Sequence, residues 1–521
     1  MARILVPEKI ADTGLDLLRE AGHEVDVQLD LDEAGLLDAI KGASGLIVRS
    51  ATQVTPELIA AADKLEVVGR AGVGLDNVDV TTSTSRGVMV INAPQSNVVS
   101  AAEHTMALLM SVARNVPQAH AALAEGRWER SKWTGVELAG KTLGIVGLGR
   151  IGALVADRAT AFEMHLVAYD PFVTPDRARD LGVELVELHE LAERSDFVTA
   201  HVAKTPETIG IVGEEFFAAA KPGIRVINVA RGGIVDEAAL EKALDDGRAA
   251  GAALDVYEVE PCTDSVLFGR PDVVATPHLG ASTREAQDKA GVTIAEQMLL
   301  AFDGEFVPFA VNVNAGAASE SIKPFMGLAE QLGDLLAGLT DDTDGTLEIE
   351  YGGSLAQYDN SLLTLSVLKG FYGRRTDVQV TFVNAPQMAE EAGLSVTELS
   401  TPSAGDFRRL IKVRLGDHAA AGTLRGAHHL PRIVMVDDHS VELPPAGNLL
   451  VVRNNDLPGM IGVIGTLVGE AGINIADMVV GQSADGVAAL MVLVTELPVP
   501  DDVCASLAEH DSIQSVRQIT N

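Results

Sequence analysis

Gly147-Leu148-Gly149-Arg150-Ile151-Gly152 stands between the apolar run 143–146 and the helix-compatible run 153–161. By itself such a string marks only a tight turn. Between a strand and a helix it has a mechanical meaning: one glycine makes the turn, a second lets a ligand reach the backbone, and a third lets the helix pack against the strand. The helix N-terminus behind it offers N–H donors and a positive dipole end to a pyrophosphate. The next apolar run, 166–169, ends at Asp170 before Pro171. An acid at that distance accepts hydrogen bonds from an adenosine ribose and repels a 2′-phosphate, which favours NAD over NADP. The alternative for Asp170 is a surface turn.

The rest of the chain repeats this rhythm. Apolar runs at 4–6, 45–48, 65–69 and 88–91 alternate with amphipathic stretches, and a helix is expected over 97–120 with Ala102, Met106, Leu109 and Ala113 on one face. A second sheet restarts at Lys141, with strands at 166–169, 197–200, 226–228, 251–254 and 273–275. Small residues at 315–319 and Pro444-Pro445-Ala446-Gly447 read as linkers. The tail alternates as strand 449–453, helix 459–471, strand 473–480, strand 487–494, helix 501–509 and strand 513–519, a βαββαβ order. With 521 residues, 47% of them hydrophobic, the chain buries several cores.

The expected fold is therefore α/β, with two doubly wound parallel-sheet domains of flavodoxin-like or Rossmann type, an α+β intervening domain and a ferredoxin-like C-terminal domain. The boundaries are 1–98 with 283–314, 99–282, 315–446 and 447–521. Lys and Arg number 39 against 74 Asp and Glu, a formal charge of −35, which opposes nucleic acid and anionic lipid. An anionic ligand must then meet a local group of arginines. Two cysteines, Cys262 and Cys504, give neither a disulfide framework nor a metal site and fit a cytoplasmic protein. No apolar run is long enough to span a bilayer.

Three segments follow strands of the second sheet: Asn228-Val-Ala-Arg231-Gly232-Gly233, Asp255-Val-Tyr-Glu258-Val-Glu260-Pro261 and Thr276-Pro-His278-Leu279-Gly280-Ala281. Oxidising a secondary alcohol needs a base near neutrality, and a histidine supported by a carboxylate suits. His278 and Glu260 fit those roles, and Arg231 offers the planar double donor that a substrate carboxylate needs. Taken singly, each is an ordinary loop histidine, solvated acid or surface charge.

Together they resemble the signature regions of the D-2-hydroxyacid dehydrogenase family, over residues 1 to about 314. The resemblance implies Arg231, Glu260 and His278 as catalytic residues. It places Val73, Gly147, Gly149, Arg150, Ile151, Gly152, Asp170, Val202, Val229, Ala230, Arg231, Asp255, His278, Leu279, Gly280 and Ala281 along NAD. Arg49-Ser50, the run from Gly69 and Arg70 to Asn77, Asn92-Ala-Pro-Gln-Ser96 and Trp128-Glu-Arg130 look like the branch that oxidises 3-phosphoglycerate, the opening step of serine biosynthesis. Arg49, Ser50, Arg70 and Asn77 would join Arg231 and His278 around that substrate. Many members carry Thr where this chain has Val73. Arg130 and Lys132 would reach a neighbouring subunit in a homo-oligomer, taken as a homotetramer.

Val451-Val-Arg-Asn454-Asn455-Asp456-Leu-Pro458-Gly459 and Gly472-Ile-Asn474 resemble the ACT regulatory domain. The resemblance implies L-serine as feedback effector, held by Asn454, Asp456 and Asn474; Asn454 replaces a frequent tyrosine. Arg425, His428, His429 and Arg432 read as a solvated loop, or else as an anion-binding cluster. Two other functions stay open: a reductase of glyoxylate or 2-oxoglutarate, and an NAD-sensing corepressor on the same scaffold.

Overall fold

The computed structural model describes residues 1–313, 321–376, 380–426, 428–482 and 488–520. The first sheet contains β1 (Arg3–Val6), β2 (Glu24–Val27), β3 (Gly45–Val48), β4 (Val67–Arg70) and β5 (Met89–Asn92). All pairings are parallel, in the order β2-β1-β3-β4-β5. Strands covered on both faces are uniformly apolar, which is why β1, β3, β4 and β5 stand out in the sequence. β2 does not, because Glu24-Val25-Asp26-Val27 alternates at an edge with no buried residue. Helix Arg284–Phe302 returns from far along the chain to cover this sheet, and Ile294 and Met298 join Ile4, Ile47 and Ile91 in one core.

The second sheet holds β6 (Thr142–Val146), β7 (His165–Tyr169), β8 (Glu184–Leu185), β9 (Phe197–Ala200), β10 (Ile224–Asn228), β11 (Ala249–Leu254) and β12 (Val273–Ala275). Its order is β12-β11-β10-β9-β6-β7-β8, so the direction of winding reverses between β6 and β9. Ligands bind beyond the carboxyl ends of strands at such a reversal. The helix expected over 97–120 is two, Val98–Arg114 and Val116–Ala124. Asn115 takes a left-handed conformation (φ 52°) and Pro117 sits in the first turn of the second helix, so the hydrogen-bond ladder breaks there. Ala102, Met106, Leu109 and Ala113 are buried as expected.

The third sheet, β13 (Gly345–Gly353), β14 (Leu394–Thr401), β15 (Arg409–Leu415), β16 (His418–Arg425), β17 (Leu430–Val436) and β18 (His439–Leu443), runs β14-β13-β15-β16-β17-β18. It is mixed, with β13 and β14 parallel and the rest antiparallel. The fourth contains β19 (Asn448–Asn455), β20 (Ile475–Gln482), β21 (Ala488–Thr495) and β22 (Ile513–Thr520) in the antiparallel order β20-β21-β19-β22. With helices Met460–Glu470 and Asp501–Ala508 this is the ferredoxin-like arrangement. Residues 444–447 separate the two sheets but not two cores. Leu449, Val451, Leu490, Val492 and Ile519 pack with Leu336, Tyr351, Phe371 and Leu443 in one continuous cluster. The linker expected at 315–319 and the strand start expected at 487 lie outside the described residues. Among the described residues no helix is long and apolar enough to cross a membrane.

Candidate active site

Gly147 leaves β6 at φ +95°, and a Cβ there would sit 2.7 Å from the His201 carbonyl oxygen and from Val202. Gly152 begins a tight contact, since its Cβ would lie 2.2 Å from the Gly147 oxygen. Around Gly149 nothing lies within 4 Å of such a Cβ. The outer two glycines are thus consumed by the fold, while the middle one faces open space at the start of helix Arg150–Ala161. That is the geometry a dinucleotide pyrophosphate requires. Asp170, at the end of β7, accepts the Leu148 N–H at 2.8 Å and the Phe172 N–H at 2.9 Å. Its carboxylate therefore braces the glycine turn and keeps lone pairs for a ribose.

On the other side of the reversal, β10 leads into Arg231, β11 into Asp255 and Glu260, and β12 into His278. Glu260 Oε2 lies 2.6 Å from Nδ1 of His278, which leaves Nε2 for a substrate. Its other oxygen accepts the Tyr257 N–H at 3.0 Å. His278 adopts φ +55°, a left-handed conformation uncommon for a residue of its size, of the kind stored at functional sites.

Asp255 is expected along the cofactor. It is fully buried, and its carboxylate accepts N–H groups from Leu279 (2.7 Å) and Gly280 (2.8 Å) and the Thr276 hydroxyl (2.6 Å), with His104 Nε2 at 3.2 Å. Burial alone lifts its pKa, but the bonds from His104, Thr276, Leu279 and Gly280 outweigh it and hold the carboxyl below the usual range. Asp255 hangs the loop that carries His278. Val229 and Gly280 are also buried, whereas Leu279 is exposed and Ala230, Ala281 and Val202 are half-buried.

Three guanidinium groups gather on the first domain's side. Burial together with the charges of Arg231 and Arg49 pulls the pKa of Arg70 down, and the Arg70 Nε is buried without a hydrogen-bond partner. Gly72 and Gly74 let the intervening loop pass between them: a Cβ on Gly72 would strike the Arg70 guanidinium, and one on Gly74 would lie 2.3 Å from Arg231 Nη2. Asp76, largely exposed, is 3.4 Å from Arg231 Nε.

Asn77 is expected at the substrate. It is buried, and its amide donates to the carbonyls of Arg49 (2.8 Å) and Thr52 (2.6 Å), so it shapes the Arg49 loop from behind. Glu8 grips the same loop through the N–H groups of Arg49, Ala51 and Thr52. Ser50 is exposed beside Arg49, and Val73 accepts the Asn92 amide through its carbonyl. Glu8, Asp76 and His104 escaped the sequence reading. Glu8 was findable as the charged residue just past an apolar strand; His104 carries no local signal.

Arg130 and Lys132 are exposed, with Lys132 stacked over Trp133 and 3.6 Å from Glu129. In the C-terminal domain Asp456 is exposed and Asn474 donates to Glu496 at 2.7 Å. Asn454, expected at the effector, is fully buried, and its amide donates to the Asn455 carbonyl at 2.8 Å. Arg425 pairs with Glu442, and His428 and His429 are exposed, as a solvated loop would be.

Two family models match: the D-isomer specific 2-hydroxyacid dehydrogenase NAD binding domain over residues 106–280, and the D-3-phosphoglycerate dehydrogenase intervening domain over residues 321–437. D-3-phosphoglycerate dehydrogenase of Mycobacterium tuberculosis is 45% identical over 512 residues, covering 97% of this chain and 96% of that one. The protein of that name from Methanocaldococcus jannaschii is 40% identical over the whole of both chains. Among solved structures, the TT0316 protein of Thermus thermophilus superposes with a TM-score of 0.55 at 36% identity, covering 59% of this chain and 99% of its own. The apo D-lactate dehydrogenase of Escherichia coli gives 0.54 at 25% identity over 60% and 100%. With the cofactor turn, the His278–Glu260 pair and likeness along nearly its whole length, the chain belongs to the D-3-phosphoglycerate dehydrogenase family of NAD-dependent D-2-hydroxyacid dehydrogenases.

Proposed function

We propose that this enzyme oxidises 3-phosphoglycerate at C2 to 3-phosphohydroxypyruvate. The observation that carries the reading is the gathering of Arg49, Arg70 and Arg231 in a chain of net charge −35, with a buried Arg70 Nε awaiting an acceptor. A substrate with a phosphate and a carboxylate at opposite ends supplies acceptors for all three; glyoxylate has only one anionic group.

NAD supplies the hydride acceptor. His278 takes the hydroxyl proton at Nε2, and Glu260, hydrogen-bonded at Nδ1, holds the ring in place. Arg231 grips the carboxylate and polarises the C2 oxygen. Asp255, Asn77 and Glu8 hold the loops that aim these groups. The experiment is NADH formation with 3-phosphoglycerate, and the reverse reaction with glyoxylate and 2-oxoglutarate; a preference for either small oxoacid overturns the reading.

The same reading places the enzyme at the start of serine synthesis in the cytoplasm, as a homo-oligomer with L-serine as effector. The division at 1–98 with 283–314, 99–282, 315–446 and 447–521 goes with it, the last two sharing a core.

A further inference from the structure

Helix Glu237–Asp245 begins nine residues after β10, at the far end of the segment that carries Arg231. Its first residue turns away from the helix: Glu237 Oε1 accepts the backbone N–H of Glu258 at 2.7 Å. Glu258 belongs to the other segment, the one that carries Glu260. Gly232 lies flat against the peptide between Tyr257 and Glu258, a Cβ there falling 1.7 Å from the Tyr257 carbonyl oxygen. The preceding peptide is tied to the catalytic acid itself, the Tyr257 N–H donating to Glu260 Oε1 at 3.0 Å. The Tyr257 hydroxyl lies within hydrogen-bonding distance of the carbonyls of Leu254 (3.2 Å) and Thr276 (3.0 Å), which ties the same residue to the strand ends beneath the His278 loop.

We propose that Glu237 is a positioning residue for the Glu260–His278 pair, fixing the Tyr257–Glu258 peptide on the Arg231 segment so that the pair keeps its place relative to the arginine. The inference rests on the reading that this pair handles the substrate proton. A helix-dipole role does not explain the placement. Burial raises the pKa of Glu237, and Glu258 and Asp236 raise it further; the Tyr257 phenol is the other titratable group at hand. Among the described residues no cation pairs with Glu237. An acid held half-buried among acids is stabilised here by the one amide it grips, and that amide lies two residues before Glu260.

Removing the acceptor frees the peptide, and Glu260 then drifts from His278. The histidine then loses its fixed orientation, so proton transfer from bound substrate slows while substrate and cofactor still bind. Glu237→Ala is expected to lower kcat by roughly fivefold to tenfold, the scale of one lost hydrogen bond, with KM for 3-phosphoglycerate and NAD affinity by fluorescence titration unchanged. Glu237→Gln retains an oxygen acceptor and is expected to restore kcat. A Glu237→Ala enzyme with wild-type kcat overturns the inference, as does one whose loss lies in KM alone or a Glu237→Gln enzyme as slow as the alanine variant. His278→Asn run in parallel separates the two levels: wild-type turnover there overturns the reading of the pair itself, while a large loss with an unmoved Glu237→Ala kcat overturns only the role given to Glu237.

Discussion

The buried carboxylate of Asp255 receives the Gly280 backbone N–H at 2.8 Å, which makes the loop bearing His278 a structure suspended from β11 rather than a free connection after β12. The Leu279 N–H and the Thr276 hydroxyl complete the suspension, and His278 itself donates its N–H to the Asp255 carbonyl at 2.8 Å. One acid thereby fixes the strained backbone at the residue assigned to proton transfer.

Asp255→Asn presents an amide NH2 to donors that need an acceptor. The expected loss is about 1–3 kcal/mol of stability, the penalty for unpaired buried groups, together with a fall in activity. The carboxyl is depressed in the folded state, so its contribution is present above the unfolded-state pKa near ~4 and disappears as pH falls through the lower folded value. Denaturant unfolding of both proteins across pH checks this: the gap should be full at pH 7 and narrow below about pH 4. A gap independent of pH would refute it.

His278→Asn should retain NAD binding and lower kcat by about two to four orders of magnitude, the usual range for loss of a general base. Asparagine also tolerates the left-handed backbone at this position, so the loop keeps its shape and the loss reads as chemistry. Steady-state kinetics beside a fluorescence titration separates the two effects.

Asp170→Ala should weaken NAD by two routes, through the ribose hydrogen bonds and through the Leu148 N–H it leaves without an acceptor. NADP suffers only the second and is relieved of charge repulsion, so the ratio of kcat/KM for the two cofactors should narrow. An unmoved ratio would leave Asp170 as a brace of the turn alone.

The sheets of the catalytic half were legible because parallel strands covered on both faces are uninterrupted apolar runs; 197–200 and 273–275 match β9 and β12 residue for residue. β2 escaped because an edge strand needs no such run. Arg231, Glu260 and His278 stand just past strands in the fold as they do in the sequence, whereas the backbone hydrogen bonds of Asp255 and Asn77 leave no mark in it. A carboxylate or amide in a motif looks the same whether or not a backbone N–H or carbonyl is its partner, and only the fold shows that bond. The merging of the last two cores was hidden for a similar reason: apolar residues on β19 and β21 do not announce which neighbour they cover.

That shared core changes how regulation by serine must be tested. Ending the chain near 447 would strip Leu449, Val451, Leu490, Val492 and Ile519 from the cluster that also holds Leu336, Tyr351 and Phe371, and would leave Arg374 without the Thr520 carbonyl it donates to at 2.7 Å. Such a truncation is expected to destabilise the neighbouring domain, so loss of serine response in it would mean little. The site itself offers a sharper variant. Asn474, expected to hold the effector's carboxylate, already donates to Glu496, and that acid repels an incoming carboxylate. Glu496→Gln removes the repulsion and keeps an oxygen for the Asn474 amide, so serine should inhibit the full-length variant at a concentration several-fold lower than wild type, on the scale of ~1 kcal/mol for one exposed charge pair. Binding to a regulatory site changes turnover only through unequal affinity for the active and inactive forms, so the affinity measured by calorimetry should shift with the inhibition curve. If Glu496→Gln leaves both unchanged while wild type responds to serine, the effector lies elsewhere; if wild type ignores millimolar serine but binds another amino acid, the ligand assignment is the part that falls.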